Sequence, residues 1–209
     1  MDTNLDAITK FAKDTFGEST QKKYWEHTKR VLAYSKLIGL QENANMSILL
    51  PAALLHDVGM TIDSSFAGHV IKSKMLANEI LTINGYNKSD IELILKIIGS
   101  HHPIPGSDLK TIEEQILYDA DNMEIIGVLG TLRWFGHFPE TLEKLESSSD
   151  LFLNMVYKCI ESRGSLFYTK TAQHLANNTV DSTIKYHEKL KSQIKQFADN
   201  TDNIFPISF

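Results

Sequence analysis

The stretch ILLPAALLHDVG, residues 48–59, decides how this sequence is interpreted. Residues 48–55 form an apolar run, and His56 and Asp57 follow it directly. Because a membrane span needs about twenty apolar residues, a run of this length predicts a buried helix instead. An ionised aspartate at a buried helix end is costly unless a positive group lies beside it. We therefore expect Asp57 to meet an arginine, a lysine or a metal ion, or else to form a hydrogen-bonded pair with His56.

The rest of the chain has helical periodicity almost throughout, and strand-like alternation is hard to find. We predict an all-α protein with one domain over residues 1–209, built from a core of about 19–135 and a C-terminal helical part of about 136–209 that packs on it. The predicted helices run from about 19 to 40, 47–59, 65–83, 91–102, 111–121, 140–145 and onward, 151–162, and 172–197 with a break near 177–178.

Composition excludes several classes of function. Of the 209 residues 42% are hydrophobic and 22% charged, which is typical of a globular domain. The net charge is −5 and no basic patch is visible, so we expect no nucleic-acid partner. Cys159 is the one cysteine, which rules out an intramolecular disulfide. The first residues lack the pattern of a secretory signal, so we expect a cytoplasmic protein that is not bound to a membrane.

Further histidines and carboxylates lie on other predicted helices. His27 and His101 fall on apolar faces, His69 lies near the start of its helix, and Asp119 and Asp121 close the helix over 111–121. Each of them alone is more often a hydrogen-bonded core residue than a ligand. Together, imidazole and carboxylate groups suit Fe, Mn, Zn, Ni or Co better than Ca. The spacing is not that of a zinc finger, and no cysteine cluster competes.

The order of His27, His56-Asp57 and Asp121 resembles the H…HD…D signature of the HD-domain superfamily. Residues 27–31, HTKRV, resemble its H-x-x-R-V, and residues 54–59, LLHDVG, resemble its L-L-H-D-[IV]-G. Residues 119–124, DADNME, resemble its D-A-D-R-L-[DE], in which the second aspartate binds metal; this resemblance selects Asp121 over Asp119. The chain departs from the pattern at Met60, where many members have lysine.

The resemblance implies an HD-domain-like helical bundle and a small bacterial HD hydrolase. It implies one or two divalent ions of Mn, Fe, Ni, Co or Zn, with Mg as a further candidate. Asp57 is expected to act catalytically as well, by orienting a water molecule or bridging two ions. The implied ligands of the first ion are His27, His56, Asp57 and Asp121, and some members use further histidines for a second ion, which correspond here to His69 and His101.

The function implied by the resemblance is that of a metal-dependent phosphohydrolase, a phosphomonoesterase or phosphodiesterase. Its substrate would be a phosphate ester of a nucleotide or of another small molecule, cleaved by metal-activated hydroxide. Two alternatives stay open: an HD-fold di-iron oxygenase, and a non-catalytic module that binds a nucleotide. The sequence assigns no substrate-binding residue, because no nucleotide-specific motif is present and one fold serves many substrates. It does not define the oligomeric state either.

Overall fold

The computed structural model describes residues 3–17, 22–65, 67–102, 108–136 and 142–204. Over these ranges the chain is mostly helical and contains no strand, so the predicted all-α class is confirmed. No helix within these ranges has both the length and the apolar content needed to cross a membrane. The helices are α1 (Thr3–Phe16), α2 (Lys22–Gln41), α3 (Met46–Leu55), α4 (Gly68–Ile83), α5 (Lys88–Ser100), α6 (Ile112–Asn122), α7 (Gly127–Gly136), α8 (Leu142–Arg163), α9 (Lys170–Leu175) and α10 (Thr179–Ile204).

Side-chain caps define where several of these helices begin. The Asn45 side chain accepts a hydrogen bond from the Ser47 amide at the start of α3. Asn87 caps α5 through the Asp90 amide, at 2.9 Å. At the start of α6, Thr111 forms a full capping box with a glutamate three residues later. These caps satisfy amides that a helix leaves without intrahelical partners, and so fix the residue at which each helix begins.

The described helices belong to two compact units. The first unit comprises Met1–Glu124 and Phe167–Ala172, and the second comprises Ile125–Leu166 and Gln173–Phe209. The single domain over residues 1–209 stays a prediction, as does the packing of a C-terminal part on the core.

Helix α3 lies at the centre of the first unit, where it packs against α1, α2, α4, α5 and α6. Seven of its ten residues are buried, so it is apolar around most of its circumference. Burial of each large aliphatic side chain contributes about 1.5–3 kcal/mol, which favours this central position. The dipeptide His56-Asp57 follows the last residue of α3 and is therefore inside the protein, beside the ends of other helices.

The second unit is built from α7, α8 and α10, which pack on one another. The indole Nε1 of Trp134 donates to the Ser148 carbonyl oxygen at 2.7 Å and joins α7 to α8. The ring of His187 from α10 stacks on those of Phe135 and Phe152, with centroid distances of 5.1 and 4.1 Å. This unit therefore has a core of its own, in which a histidine takes part as an aromatic ring.

Candidate metal centre

All six predicted ligands belong to the first unit, and five helices bring them together. His56 and His101 are the C-cap residues of α3 and α5, and Asp57 comes directly after His56. His27 lies on α2, His69 in the first turn of α4, and Asp121 in the last turn of α6. Helix ends thus supply most of the side chains.

Asp57 is at the centre of the cluster and is only 8% exposed. Its Oδ2 atom lies 3.6 Å from Nε2 of both His27 and His56. Its Oδ1 atom lies 3.5 Å from Nε2 of both His69 and His101. Each carboxylate oxygen of Asp57 therefore faces its own pair of imidazoles.

The backbone fixes the tautomers of three of these imidazoles. Nδ1 of His56 lies 2.8 Å from the Ala53 carbonyl oxygen, and Nδ1 of His69 lies 2.9 Å from that of Ser65. Nδ1 of His101 lies 2.6 Å from the Ile98 carbonyl oxygen. Because a carbonyl oxygen only accepts, each Nδ1 carries a proton, and in the neutral ring Nε2 keeps its lone pair.

The Nε2 lone pairs of His56, His69 and His101 are placed to bind a cation. They face the oxygens of Asp57, and two electron-rich atoms at that distance repel each other unless a positive charge lies between them. Asp57 Oδ1 and His101 Nε2 are buried without a hydrogen bond to any described residue. Leaving such atoms unpaired is costly, and a metal ion is a partner that would satisfy both.

His27 is held by carboxylates on both sides of its ring. Nε2 lies 3.1 Å from Asp121 Oδ1, and Nδ1 lies 3.5 Å from Glu124 Oε2. Glu124 follows α6 and is 4% exposed, and its two oxygens accept from Arg30 Nε at 2.9 and 2.8 Å. Arg30 and Glu124 are part of the quoted motifs, but no role could be assigned to them there, because motif similarity does not show which side chains touch.

Burial disfavours the charged form of each group in the centre, and opposite charges compete with it. Burial would lower the pKa of His27, but the carboxylates of Asp121 and Glu124 raise it to about 9. For Asp57, burial acts to raise the pKa, whereas the neighbouring imidazoles, His56 first, hold it well below its ordinary range. The pKa of Asp121 is likewise lowered, by its hydrogen bond to His27. Both aspartates are therefore ionised at neutral pH, as metal ligands must be.

The structure adds a histidine that the sequence prediction left out. His102 belongs with Asp57, His69 and His101 to a group whose ligand atoms lie within 4.8 Å of one another. Its ring centroid is 4.2 Å from that of His101 and 5.2 Å from that of His69. Burial and the charge of His101 lower its pKa to about 4, so it is neutral and able to bind a metal at pH 7. Helical periodicity places His102 towards the edge of the apolar face that carries His101, but α5 ends at Ser100 and the periodicity ends with it.

The backbone at Gly59 packs closely against the backbone of α4, which brings His69 towards Asp57. The Gly59 amide donates to Ser73 Oγ at 2.8 Å. A β-carbon at this position would lie 2.1 Å from the His69 carbonyl oxygen and 2.4 Å from the Ser73 amide nitrogen. Glycine thus allows the turn over Val58–Thr61 to pack directly on α4.

The two aspartates of α6 have different surroundings. Both oxygens of Asp119 accept hydrogen bonds from the segment at 168–169: one from the Tyr168 amide at 2.8 Å, the other from the Thr169 amide and hydroxyl, each at 2.7 Å. Asp119 thereby anchors this segment to the first unit, while Asp121 faces His27. The arrangement supports the choice of Asp121 over Asp119 as a ligand.

The other histidines do not join the cluster among the described residues. His174 is an exposed residue of α9, and His187 is in the core of the second unit. His137 lies outside the described residues.

Known proteins are similar to this chain in sequence and in fold. The HD domain family matches residues 24–126. YpgQ of Bacillus subtilis is 26% identical over 177 residues, which cover 81% of this chain and 83% of YpgQ. The crystal structure of YpgQ matches with a TM-score of 0.68 at 25% identity, over 92% of this chain and 96% of YpgQ. YpgQ has also been crystallised in complex with ADP.

Two further crystal structures have the same fold. One is a protein of Lactobacillus plantarum, with a TM-score of 0.74, 21% identity, and coverage of 94% of this chain and 99% of that one. The other is a predicted HD superfamily hydrolase from an uncultured Thermotogales bacterium, with a TM-score of 0.62, 20% identity, and coverage of 89% and 90%.

Residues 24–126 of this chain therefore match an HD domain, and the HD-type all-α fold expected from the sequence is confirmed. The matched range extends from before His27 to beyond Glu124, so it includes every residue of the cluster described above.

Proposed function

We propose that this protein is a metal-dependent phosphohydrolase whose centre would hold two divalent ions, with Asp57 in the ligand set of both. One observation carries the proposal: the two oxygens of Asp57 face two separate pairs of imidazole nitrogens. A carboxylate that binds a single ion needs only one such pair. In two-metal hydrolases the ions are about 3.5–4 Å apart, a separation that one bridging carboxylate can span.

Each ion would have its own ligand set. The first set is His27, His56, Asp57 and Asp121, and the second is Asp57, His69, His101 and His102. Mixed imidazole and carboxylate ligands favour Mn, Fe, Co, Ni or Zn, and Mg is included in the tests below.

When bound, the ions would lower the pKa of a water molecule towards neutrality and offset the negative charge on phosphoryl oxygens. The chain's own contribution is to keep the ligands in place. Hydrogen bonds from Nδ1 of His56, His69 and His101 to the backbone hold these rings with Nε2 towards Asp57. Asp57 is the catalytic residue of the proposal, because its ionised carboxylate, at the centre of the cluster, would orient the attacking water. Preorganisation of this kind carries most of the catalysis in phosphoryl transfer.

A nucleotide is the first substrate class to test. The relative YpgQ forms a complex with ADP, and an HD-domain neighbour is described as a hydrolase. A small phosphate ester other than a nucleotide is the wider class within the same proposal.

The test is release of phosphate, pyrophosphate or nucleoside by metal-stripped protein reloaded with Mn, Fe, Co, Ni, Zn or Mg. The panel contains nucleoside mono-, di- and triphosphates and phosphodiesters. We expect turnover by the wild type and by the control variant His174→Ala, and none by His56→Ala. His174 is the matched control because it is an exposed histidine of the second unit.

Failure of every metal and substrate, or full activity of His56→Ala, would contradict the proposal. Oxygen consumption by the iron-loaded protein without phosphate release would also contradict it and would favour the di-iron oxygenase. Binding of a nucleotide without turnover would favour the non-catalytic module.

A further inference from the structure

His27 differs from the other imidazoles of the cluster in what its Nδ1 atom faces. Nδ1 of His56, His69 and His101 each meets a backbone carbonyl oxygen. Nδ1 of His27 instead faces the Glu124 carboxylate, 3.5 Å away. A carboxylate makes an imidazole a stronger electron donor to a metal than a neutral carbonyl does.

Glu124 is a buried carboxylate whose position is fixed. It is 4% exposed, and both its oxygens accept from the Arg30 Nε atom at 2.9 and 2.8 Å. Arg30 lies one turn beyond His27 on the same helix, α2, so the helix presents the imidazole and the cation to the same carboxylate. The charge of Arg30 offsets the cost of burying the Glu124 carboxylate beside the His27 ring.

We propose that Glu124, held by Arg30, is a positioning residue that sets the tautomer of His27. Glu124 accepts the proton-bearing Nδ1–H, and the lone pair of Nε2 is then directed at Asp121 and Asp57, where the first ion binds. The 3.5 Å contact exceeds the usual hydrogen-bond length of about 2.7–3.2 Å. It is expected to shorten when the site is filled, as such contacts commonly do. This inference rests on the metal centre proposed above but not on the substrate.

The simplest competing explanation is that Arg30 and Glu124 form an ion pair that only joins α2 to the turn after α6. Helix α6 offers a matched control for this explanation. Glu114 is also 4% exposed and also pairs with a cation, Lys96, at 3.3 Å. Its other described partners are the amides of Lys110 and Thr111 at the start of α6, at the opposite end of the helix from Asp121. Loss of its charge should therefore affect stability alone.

The variants are Glu124→Gln, Arg30→Gln and the control Glu114→Gln. Metal-stripped proteins are titrated with Mn²⁺ and with Co²⁺, and thermal unfolding of each is recorded without metal. We expect Glu124→Gln to bind the tighter ion about 10- to 100-fold more weakly and to change the visible spectrum of the Co²⁺ form. Arg30→Gln should weaken binding in the same direction, whereas Glu114→Gln should bind metal like the wild type.

A second readout needs no metal. Side-chain ¹⁵N NMR of the metal-free protein reports which nitrogen of each histidine carries the proton. We expect the Nδ1–H signal of His27 in the wild type to be shifted by the Glu124 carboxylate, and this shift to be lost in a Glu124→Ala variant while the signals of His56, His69 and His101 stay unchanged.

The outcomes separate this inference from the function it rests on. If the wild type takes up no metal, the proposed centre fails. If the wild type binds metal but cleaves no phosphate, the hydrolase fails and the positioning role is still measured. If Glu124→Gln binds metal as tightly as the wild type and only its unfolding temperature falls, as in Glu114→Gln, Glu124 is a structural ion-pair partner and the inference is overturned.

Discussion

His56 in the first unit and His187 in the second are both fully buried, but the surroundings of their rings differ. Nδ1 of His56 meets the Ala53 carbonyl oxygen, and Nε2 faces Asp57. The ring of His187 is stacked on those of Phe135 and Phe152, and neither of its nitrogens forms a hydrogen bond with the part of the chain that the structure describes.

The contacts of the ring nitrogens separate a candidate metal ligand from a core residue. Burial lowers the pKa of both histidines, that of His187 to about 4, so neither burial nor the pKa direction distinguishes them. What distinguishes them is one nitrogen fixed by the backbone and the other directed at a carboxylate. His187 lacks both features among the described residues, and the neutral ring serves in packing.

The largest effect is expected from Asp57→Asn, which removes the charge shared by the two ligand sets and changes the side-chain size little. Both ions should be lost, and phosphate release should fall by more than the roughly 100-fold that loss of a ligand's hydrogen-bond partner can cost. Elemental analysis and kcat for the same preparation check this prediction. Retention of two ions by Asp57→Asn would show that Asp57 does not bridge them.

Gly59→Ala tests how the turn after α3 brings Asp57 and His69 together. The added β-carbon would lie 2.1 Å from the His69 carbonyl oxygen, so the turn has to move away from α4. We expect a loss of about 1–3 kcal/mol in the free energy of unfolding, measured by chemical denaturation, and weaker binding of the second ion.

The control for this variant is Gly136→Ala, because a β-carbon at that position would meet nothing within 4 Å. It should leave the unfolding free energy unchanged or raise it slightly, because alanine favours a helix more than glycine does. Equal stability of Gly59→Ala and Gly136→Ala would contradict the close packing of the turn on α4.

His102→Ala distinguishes the two ligand sets. It removes a ligand from the second set only, so the first ion should stay bound while affinity for the second falls by at least about tenfold. Metal titration followed by calorimetry measures both steps. Unchanged binding of two ions would mean that His102 is a neighbour of the centre and not a ligand.

The smallest effect is expected from His187→Phe, which tests the other side of the comparison. His187 is neutral in the folded protein because burial lowers its pKa from 6.5 to about 4. As the pH falls, His187 is protonated in the unfolded chain at a higher pH than in the folded protein. It therefore lowers the free energy of unfolding progressively between about pH 6.5 and pH 4.

Thermal unfolding at pH 7 and pH 5 shows this contribution as a difference between the wild type and His187→Phe. The unfolding temperature should fall less in the variant over this interval, and metal binding should be the same in both proteins. An identical fall in both would mean that His187 is as readily protonated in the folded protein as in the unfolded chain.

Helices with a wide apolar face could be predicted from the sequence, and those with a narrow one could not. Helix α3 was predicted from its apolar run, although the helix ends at Leu55 rather than near residue 59. The break in the last predicted helix is confirmed, because α9 ends at Leu175 and α10 begins at Thr179. The prediction did not include α1, which buries completely only one residue per turn, namely Ile8, Ala12 and Phe16.

In the second unit, the observed helices differ from the predicted ones in two places. No helix was predicted over Gly127–Gly136, since its three glycines weaken helix propensity and tertiary packing outweighs them. The predicted helices at 140–145 and 151–162 are parts of one continuous helix, Leu142–Arg163. Ser148 and Ser149, which lie between the two predicted stretches, are buried inside this helix.

The candidate centre was largely accessible to sequence analysis because it depends on the order of ligands along the chain. The motifs selected His27, His56, Asp57 and Asp121, and the structure brings these residues together, although their role as ligands stays a prediction. His102 and the contact of Glu124 with His27 could not be predicted. Both depend on the direction of side chains at helix ends, where helical periodicity no longer applies.

The most direct test of the two-ion centre is a crystal structure of the protein loaded with Mn²⁺, with the ions located by anomalous scattering. We expect two ions about 3.5–4 Å apart, each bound by one carboxylate oxygen of Asp57. The first should also be bound by His27, His56 and Asp121, and the second by His69, His101 and His102. A single ion at full Mn²⁺ occupancy, or two ions without Asp57 between them, would contradict it.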